Sequence, residues 1–325
     1  MNTSQQIKEK LEQAQTIALF GHQSVDGDAL GAMLWLGKQL EKLWKQVNYF
    51  TPDEPGPLFS FLDLSRLQHE FDYAEYDELV LLDMNHPTRM KKFYEGHEEY
   101  FDQREKIVID HHLPEKNRPL KHALMYGDET AISTCELIFE LTSTWRDLID
   151  SEIATILYMG LITDSGNFRH DEQHQTLRLM DNALKLIKKW ADKQAVINHI
   201  FRSKSFEDLQ FMQKILGRLK KNWDIIFSWY AKQELEAIGL HPDSAEYALY
   251  LMVDVKEAEL IVLWKEKEAW EIRISLRGKG KYSCRDLASH FKWGGHFNAA
   301  GCTIPCSGDI ANDMENFIEE VKNLL

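Results

Sequence analysis

The chain has 325 residues, a formal net charge of −14, 44% hydrophobic and 28% charged residues. That length and composition set the expectation of a soluble globular protein of two domains. The acidic balance argues against a broad basic surface for long duplex nucleic acid. No stretch has the apolar length of a membrane span, and 4 cysteines are too few for a disulfide scaffold.

The N-terminus, Met1 to Leu11, is polar and helix-like and lacks the basic-then-apolar pattern of a signal peptide, so a cytoplasmic location is expected. Thr16 to Phe20 predicts a strand, Asp28 to Trp44 a helix and Val47 to Phe50 a second strand. The segment from Thr51 to Pro57 is a loop by its prolines and glycine. Glu78 to Leu82 is a strand that ends at Asp83, and Pro87 opens a helix. Lys106 to Ile109 is the next strand. This rhythm predicts an α/β fold with a parallel sheet and helices on both faces.

From Ser133 the pattern turns helical. Cys135 to Leu141, with Ser133 or Thr134 as N-cap, Ile153 to Ile162, Gln173 to Lys189 and Ala191 to Phe201 are predicted helices. Residues 190–222 are lysine-rich and predict a helical connection between domains. Beyond it, Ile225 to Ala231, Leu260 to Trp264 and Trp270 to Leu276 are strands rich in β-branched and aromatic residues. A helix from Arg285 to Phe291, a glycine loop, a strand from Cys302 to Ile304 and a helix from Ile310 to Leu324 complete a smaller α/β domain. The boundaries expected are 1–190, a linker at 191–222, and 223–325.

Four segments carry metal-capable side chains. The first strand is followed by His22, Asp26 and Asp28; Asp83 ends an all-apolar strand; Asp110-His111-His112 ends another; Asp164 ends an apolar helix, where a carboxylate opposes the helix dipole. Each has an ordinary structural reading, such as Asp28 as an N-cap or Asp26-Gly27 as a turn. Together they make that reading improbable. Strand C-terminal ends are where open α/β sheets bind ligands. Carboxylates and imidazoles without a cysteine cluster suit manganese, magnesium or a similar oxygen-preferring ion. Six ligand candidates fit two ions that share a carboxylate. The spacing of His296, Cys284, Cys302 and Cys306 matches no common zinc pattern. In the second domain, Arg277 and the loop Trp293-Gly294-Gly295-His296 could hold phosphate oxygens, although a lone Gly-Gly-His is weak evidence.

With these segments in order, the chain resembles the DHH-family phosphoesterases with a DHH-associated C-terminal domain. The resemblance rests on His-x-x-x-Asp-x-Asp, the isolated Asp83, Asp110-His111-His112, Thr163-Asp164-Ser165-Gly166 and the loop from Gly294 to Gly301. It implies that His22, Asp26 and Asp83 hold one manganese. Asp28, Asp83, His111 and Asp164 would hold a second, with magnesium or cobalt as other candidate ions. It also implies that Asp110 orients a neighbouring imidazole and that His112 faces the scissile phosphate. Arg277, Gly294, Gly295 and His296 would bind the substrate's other phosphate, and the active site would be the cleft between domains. Ser24-Val25 stands where the family usually has Asn-Pro, Trp293 where a third loop glycine is common, and Gly278 where Ser is frequent. Trp293 could instead form a wall for a base.

The two-domain length resembles the branch that acts on very short RNA, linear di-adenylate and 3′-phosphoadenosine 5′-phosphate. The implied reaction is hydrolysis of a phosphate ester by a metal-activated water. Cyclic di-AMP is the alternative substrate, and a nucleotide-binding sensor the non-enzymatic alternative. The implied partners are short RNA or a small nucleotide. Trp35 and Trp44 on the first helix offer a homodimer contact or ordinary core packing, and core packing is the expectation.

Overall fold

The computed structural model describes residues 3–112, 121–168, 173–268, 271–291, 293–295, 297–308 and 310–325. The chain divides into two units, Met1–Ser203 and Lys204–Leu325. In the first, α1 is Thr3–Gln13, β1 Thr16–Phe20, α2 Gly27–Lys42, β2 Gln46–Phe50, β3 Leu67–Gln68 and β4 Glu78–Leu82. A 3₁₀ helix, Pro87–Phe93, precedes α3 (Glu98–Gln103), β5 (Lys106–Ile109) and β6 (Ala123–Tyr126). Then come α4 (Thr134–Leu141), α5 (Ser151–Asp164), α6 (Gln173–Lys188) and α7 (Lys193–Val196), which runs on into a π-helical turn.

The six strands are all parallel, in the order β3-β2-β1-β4-β5-β6. β1 and β4 are buried on both faces, as near-continuous apolar runs in parallel sheets are. Ile17 and Leu19 of β1 join a cluster with residues of α1, α2, α4, α5 and α6. Ala18 and Phe20 point the other way, into a cluster with Phe71, Met90, Phe93 and Phe101. The expected two-faced α/β sheet is therefore present. The strand order reverses between β1 and β4, and a crevice at such a switch point is the usual ligand site of an open sheet.

Helices α2 and α5 cross without room for side chains between them. A Cβ on Gly31 would lie 2.9 Å from Cys135 Sγ and 3.2 Å from Gly160 Cα; one on Gly160 would lie 2.2 Å from Cys135 Sγ. This close approach brings the start of α2, with Asp28, beside the end of α5, with Asp164.

The second unit holds α8 (Phe206–Gly217), β7 (Lys220–Asn222), β8 (Ile225–Tyr230), α9 (Lys232–Glu236), α10 (Glu246–Val253), β9 (Leu260–Glu268) and β10 (Glu271–Gly278). It ends with α11 (Cys284–His290), β11 (Ala299–Pro305) and α12 (Ile310–Leu324). The sheet order is β11-β10-β9-β8-β7, mixed because β8 and β9 run parallel while the other pairs are antiparallel. One face packs α11 and α12, and the other packs α8 and α10.

Two expectations change. The stretch 191–222 is not wholly helical: Lys220–Asn222 is an edge strand paired with β8. Trp35 is fully buried, but Trp44 is 92% exposed, so core packing holds for the first tryptophan only. Trp270, expected to open a strand, lies outside the described residues. No helix among those described is long and apolar enough to cross a membrane.

Replacing Gly160 by Val should cost about 1–3 kcal/mol of stability through overpacking at the α2–α5 crossing. Thermal unfolding would register this as a lowered midpoint. An unchanged midpoint would contradict the close approach.

Candidate metal centre

The loops after β1, β4 and β5 converge at the switch point. His22 follows β1 and is buried. Its Nδ1–H donates to the Gln23 carbonyl oxygen at 2.8 Å. Nε2 is buried without a hydrogen-bond partner among the described residues, yet lies 3.4 Å from Asp83 Oδ2 and 3.7 Å from Asp26 Oδ2. These separations are long for hydrogen bonds and suit donor atoms grouped around a cation. Asp26 caps α2 through Oδ1, which accepts from the amides of Asp28 and Ala29, and its side chain is 57% exposed.

Asp28 is buried at the start of α2, and its carboxylate accepts from the amides of Thr134 and Cys135 at 2.6 and 2.9 Å. Those amides open α4, where the helix dipole and unpaired N–H groups favour negative charge. The N-cap of α2 is Asp26, so the ordinary structural reading of Asp28 as a cap does not apply. Ser133 caps α4 by accepting from the Glu136 amide.

Asp83 occupies the centre. Its backbone sits in the left-handed region, φ 57°, while its amide donates to the Ile109 carbonyl oxygen at 3.0 Å. Left-handed backbone at a non-glycine residue is held in place by its surroundings and is concentrated at functional sites. Oδ2 faces His22. Oδ1 lies 3.6 Å from His111 Nε2 and 3.4 Å from His112 Nδ1, and accepts from the Thr134 hydroxyl at 2.9 Å. One carboxylate thus addresses two groups of donors.

His111 Nε2 also lies 3.4 Å from Asp164 Oδ2 and 4.0 Å from Asp28 Oδ2. Asp110 Oδ1 accepts from the His112 amide at 3.0 Å and from His112 Nδ1–H at 2.6 Å. The imidazole that Asp110 orients is therefore His112. Three overlapping sets could hold cations: His22, Asp26 and Asp83; Asp28, His111 and Asp164; Asp83, His111 and His112. All six expected ligand residues are brought together, and His112 stands among them.

The electrostatics fit a cation. Burial and the charges of Asp83 and Asp164 push the Asp28 carboxyl well above its ordinary range. Burial and the charges of Asp83 and Asp26 do the same to Asp164. Burial would raise Asp83 too, but the His112 and His22 imidazoles outweigh it and hold the carboxyl well below the usual range. Burial disfavours charge on His112, yet its contacts with Asp110 and Asp83 dominate and push it up to about 11. By the same balance, with Asp26 and Asp83 as partners, His22 rises to about 10. Without metal the cluster limits its negative charge by holding protons. Divalent cations would replace them.

In the second unit, Arg277 donates to the Leu276 carbonyl oxygen at 3.0 Å and lies 3.4 Å from Glu246 Oε2. Glu246 also binds Lys265. Gly294 has open space where a Cβ would be, whereas Gly295 bridges to Ala300, and a Cβ on it would lie 2.6 Å from Ala300 Cβ. Trp293 carries the Arg273 guanidinium over its ring at 4.8 Å. His296 lies outside the described residues. Sequence reasoning missed the Thr134 hydroxyl, which it considered only as a cap, and Glu246, for which no local signal exists.

Two family descriptions match: the DHH family, N-terminal domain, over residues 16–161, and the DHHA1 domain over residues 230–325. The chain is a DHH-family protein with a DHHA1 domain. The "bifunctional oligoribonuclease and PAP phosphatase NrnA" of Mycoplasma genitalium is 26% identical over 317 residues, covering 96% of this chain and 95% of that protein. The protein of that name from Thermus thermophilus is 26% identical over 313 residues, 94% of this chain and 88% of its own. A crystal structure described as an exopolyphosphatase-related protein from Bacteroides fragilis superposes with a TM-score of 0.85 at 25% identity, covering 99% of this chain and 97% of that one. In the DHH domain the Asp-His-His run supplies Asp110, His111 and His112, and the DHHA1 domain carries Arg277 and the glycine loop.

Two measurements test the centre. Thr134→Val should weaken manganese binding by about 10–100-fold while the fold is kept, as loss of a hydrogen bond to a metal-binding carboxylate does. Calorimetric titration would show it, and unchanged affinity would remove Thr134 from the centre. Because Asp28 and Asp164 hold protons to unusually high pH and His22 and His112 stay protonated, affinity should rise with pH and metal uptake should release protons. Titration in buffers of different ionisation heat counts those protons. Affinity flat with pH would contradict the charge balance described.

Proposed function

We propose that this protein is a divalent-metal-dependent phosphoesterase that hydrolyses short 5′-phosphorylated oligoribonucleotides and 3′-phosphoadenosine 5′-phosphate. The carrying observation is Asp83, whose two carboxylate oxygens face two separate donor groups. Support for the substrate class comes from relatives that match nearly the whole chain and are described as bifunctional oligoribonuclease and PAP phosphatase.

His22, Asp26 and Asp83 would hold one ion; Asp28, Asp83, His111 and Asp164 would hold the other. The oxygen and imidazole donors, with no thiolate, favour manganese over zinc. Bound ions would supply positive charge that acidifies an attacking water and neutralises charge on the phosphate. Asp110 holds the His112 ring through Nδ1, and Nε2 would be the ring atom turned to a substrate oxygen. A protonated His112 would donate there to the phosphate. Arg277, Gly294 and Gly295 would hold a second phosphate or its neighbouring nucleotide. His296 is assigned to the same task from sequence alone.

Asp83→Ala should lose nearly all activity, and wild-type rates in that variant would sink the proposed mechanism. Arg277→Ala should mainly raise KM for substrates with a second phosphate; an unchanged KM would take Arg277 out of the site. The substrate test is incubation with manganese and a panel of 5′-phosphorylated RNA dinucleotide, longer RNA, 3′-phosphoadenosine 5′-phosphate and cyclic di-AMP. Fast turnover of the dinucleotide and the bisphosphate is expected. Preference for the cyclic dinucleotide would assign a signalling phosphodiesterase instead. Metal binding with no turnover would favour a sensor.

A further inference from the structure

Backbone contacts on both sides hold the loop between α11 and β11. The Trp293 amide donates to the Ala288 carbonyl oxygen, in α11, at 3.0 Å. Gly295 bridges to Ala300 of β11. The Phe297 carbonyl oxygen accepts from the Cys284 amide at 2.7 Å, and that of Asn298 accepts from the Gly278 amide at 2.8 Å. A loop tied in this way is shaped before a ligand arrives, which lowers the ordering cost of binding. Yet the large side chain at its start, Trp293, stays 45% exposed.

One face of that indole is already occupied. The Arg273 guanidinium lies over the ring, 4.8 Å from its centroid. Side chains alternate along β10. Ile272, Ile274 and Leu276 enter the core with α11 and α12, so Arg273 and Arg277 belong to the opposite face of the strand. Arg273 pairs with Thr303 in register, and its Nη1 lies 3.4 Å from the Thr303 hydroxyl. A Cβ on Gly301 would lie 3.0 Å from Arg273 Nη2. The missing side chain leaves the guanidinium room to lie over β11, the edge strand, towards the indole. With a cation on one side of the ring and nearly half of the residue exposed, the open surface is the second face. A fixed aromatic face backed by arginine is a surface on which nucleobases stack with little regard to their identity. Trp293 adjoins Gly294, where a Cβ would meet open space. A nucleotide whose phosphate rests on that glycine has its base within reach of the indole.

We propose that Trp293, backed by Arg273, is the platform on which a nucleobase of the substrate stacks, and that it selects nucleotides over base-free phosphate esters. The proposal rests on the substrate reading above, and its residues lie wholly in the second unit.

Two experiments test it. In the first, kcat/KM for an RNA dinucleotide is compared with that for the same dinucleotide lacking one base or the other. For the wild type, loss of the stacked base should cost about 5–100-fold, mainly in KM. Trp293→Ala should erase most of that difference, and Trp293→Phe should keep much of it. In the second, the manganese-loaded protein is titrated with AMP and its tryptophan emission followed. AMP should quench the wild type, and the quench should be lost in Trp293→Phe. This titration needs no turnover, so it separates the platform from the substrate reading. A quench that requires Trp293, in a protein that hydrolyses no nucleotide, would keep the platform and remove the reading. Quenching that does not depend on Trp293, or none at all, would overturn the proposal. So would a Trp293→Ala variant, folded by circular dichroism, that keeps the full preference for the intact dinucleotide.

Discussion

Negative charge gathered at the reversal of a parallel sheet is the constraint on which the first unit depends. Four carboxylates, Asp26, Asp28, Asp83 and Asp164, lie within reach of three imidazoles, and two of the four, Asp28 and Asp83, are almost fully buried. Buried carboxylates at such spacing are stable only if protons, donors or cations neutralise them. The protein supplies imidazoles on one side and the N-terminal amides of α4 on the other. What these leave unbalanced is a demand for positive charge, and a pair of divalent ions would meet it.

The scaffold that enforces this grouping is distributed. Asp28 is tied to Thr134 and Cys135, more than 100 residues away in sequence. Cys135 also fills the gap left by Gly31 and Gly160, so the packing that seats α4 and α5 against α2 seats Asp28 and Asp164 as well. Thr134 joins the two arrangements, because its amide holds Asp28 while its hydroxyl holds Asp83. Asp83 completes the set from a left-handed backbone that carries its carboxylate between β1 and β5. Small shifts in any of these helices would be felt at the centre.

Much of this was legible because the informative residues sit beside the strongest local signals. Residues 79–82 and 107–109 are unbroken apolar runs, and a carboxylate placed directly after each one stands out. The two-residue β3 and the edge strand β6, Ala-Leu-Met-Tyr, carry no β-branched pattern and went unseen. Lys220–Asn222 read as helix because its lysines continue the composition of the helices before it; pairing with β8 overrides that local preference. Trp44 looks like core by residue type, but it lies just beyond the end of α2 and is exposed. Thr134 and Glu246 act through contacts made only after folding, with Asp83 and Arg277, so no spacing in sequence announces them.

The most direct measurement is anomalous scattering at the manganese edge from crystals soaked in manganese. Two peaks are expected in the first unit, one bounded by His22, Asp26 and Asp83 and the other by Asp28, His111, Asp164 and Asp83. A single peak, or peaks that leave Asp83 without a metal neighbour, would contradict the shared-carboxylate centre.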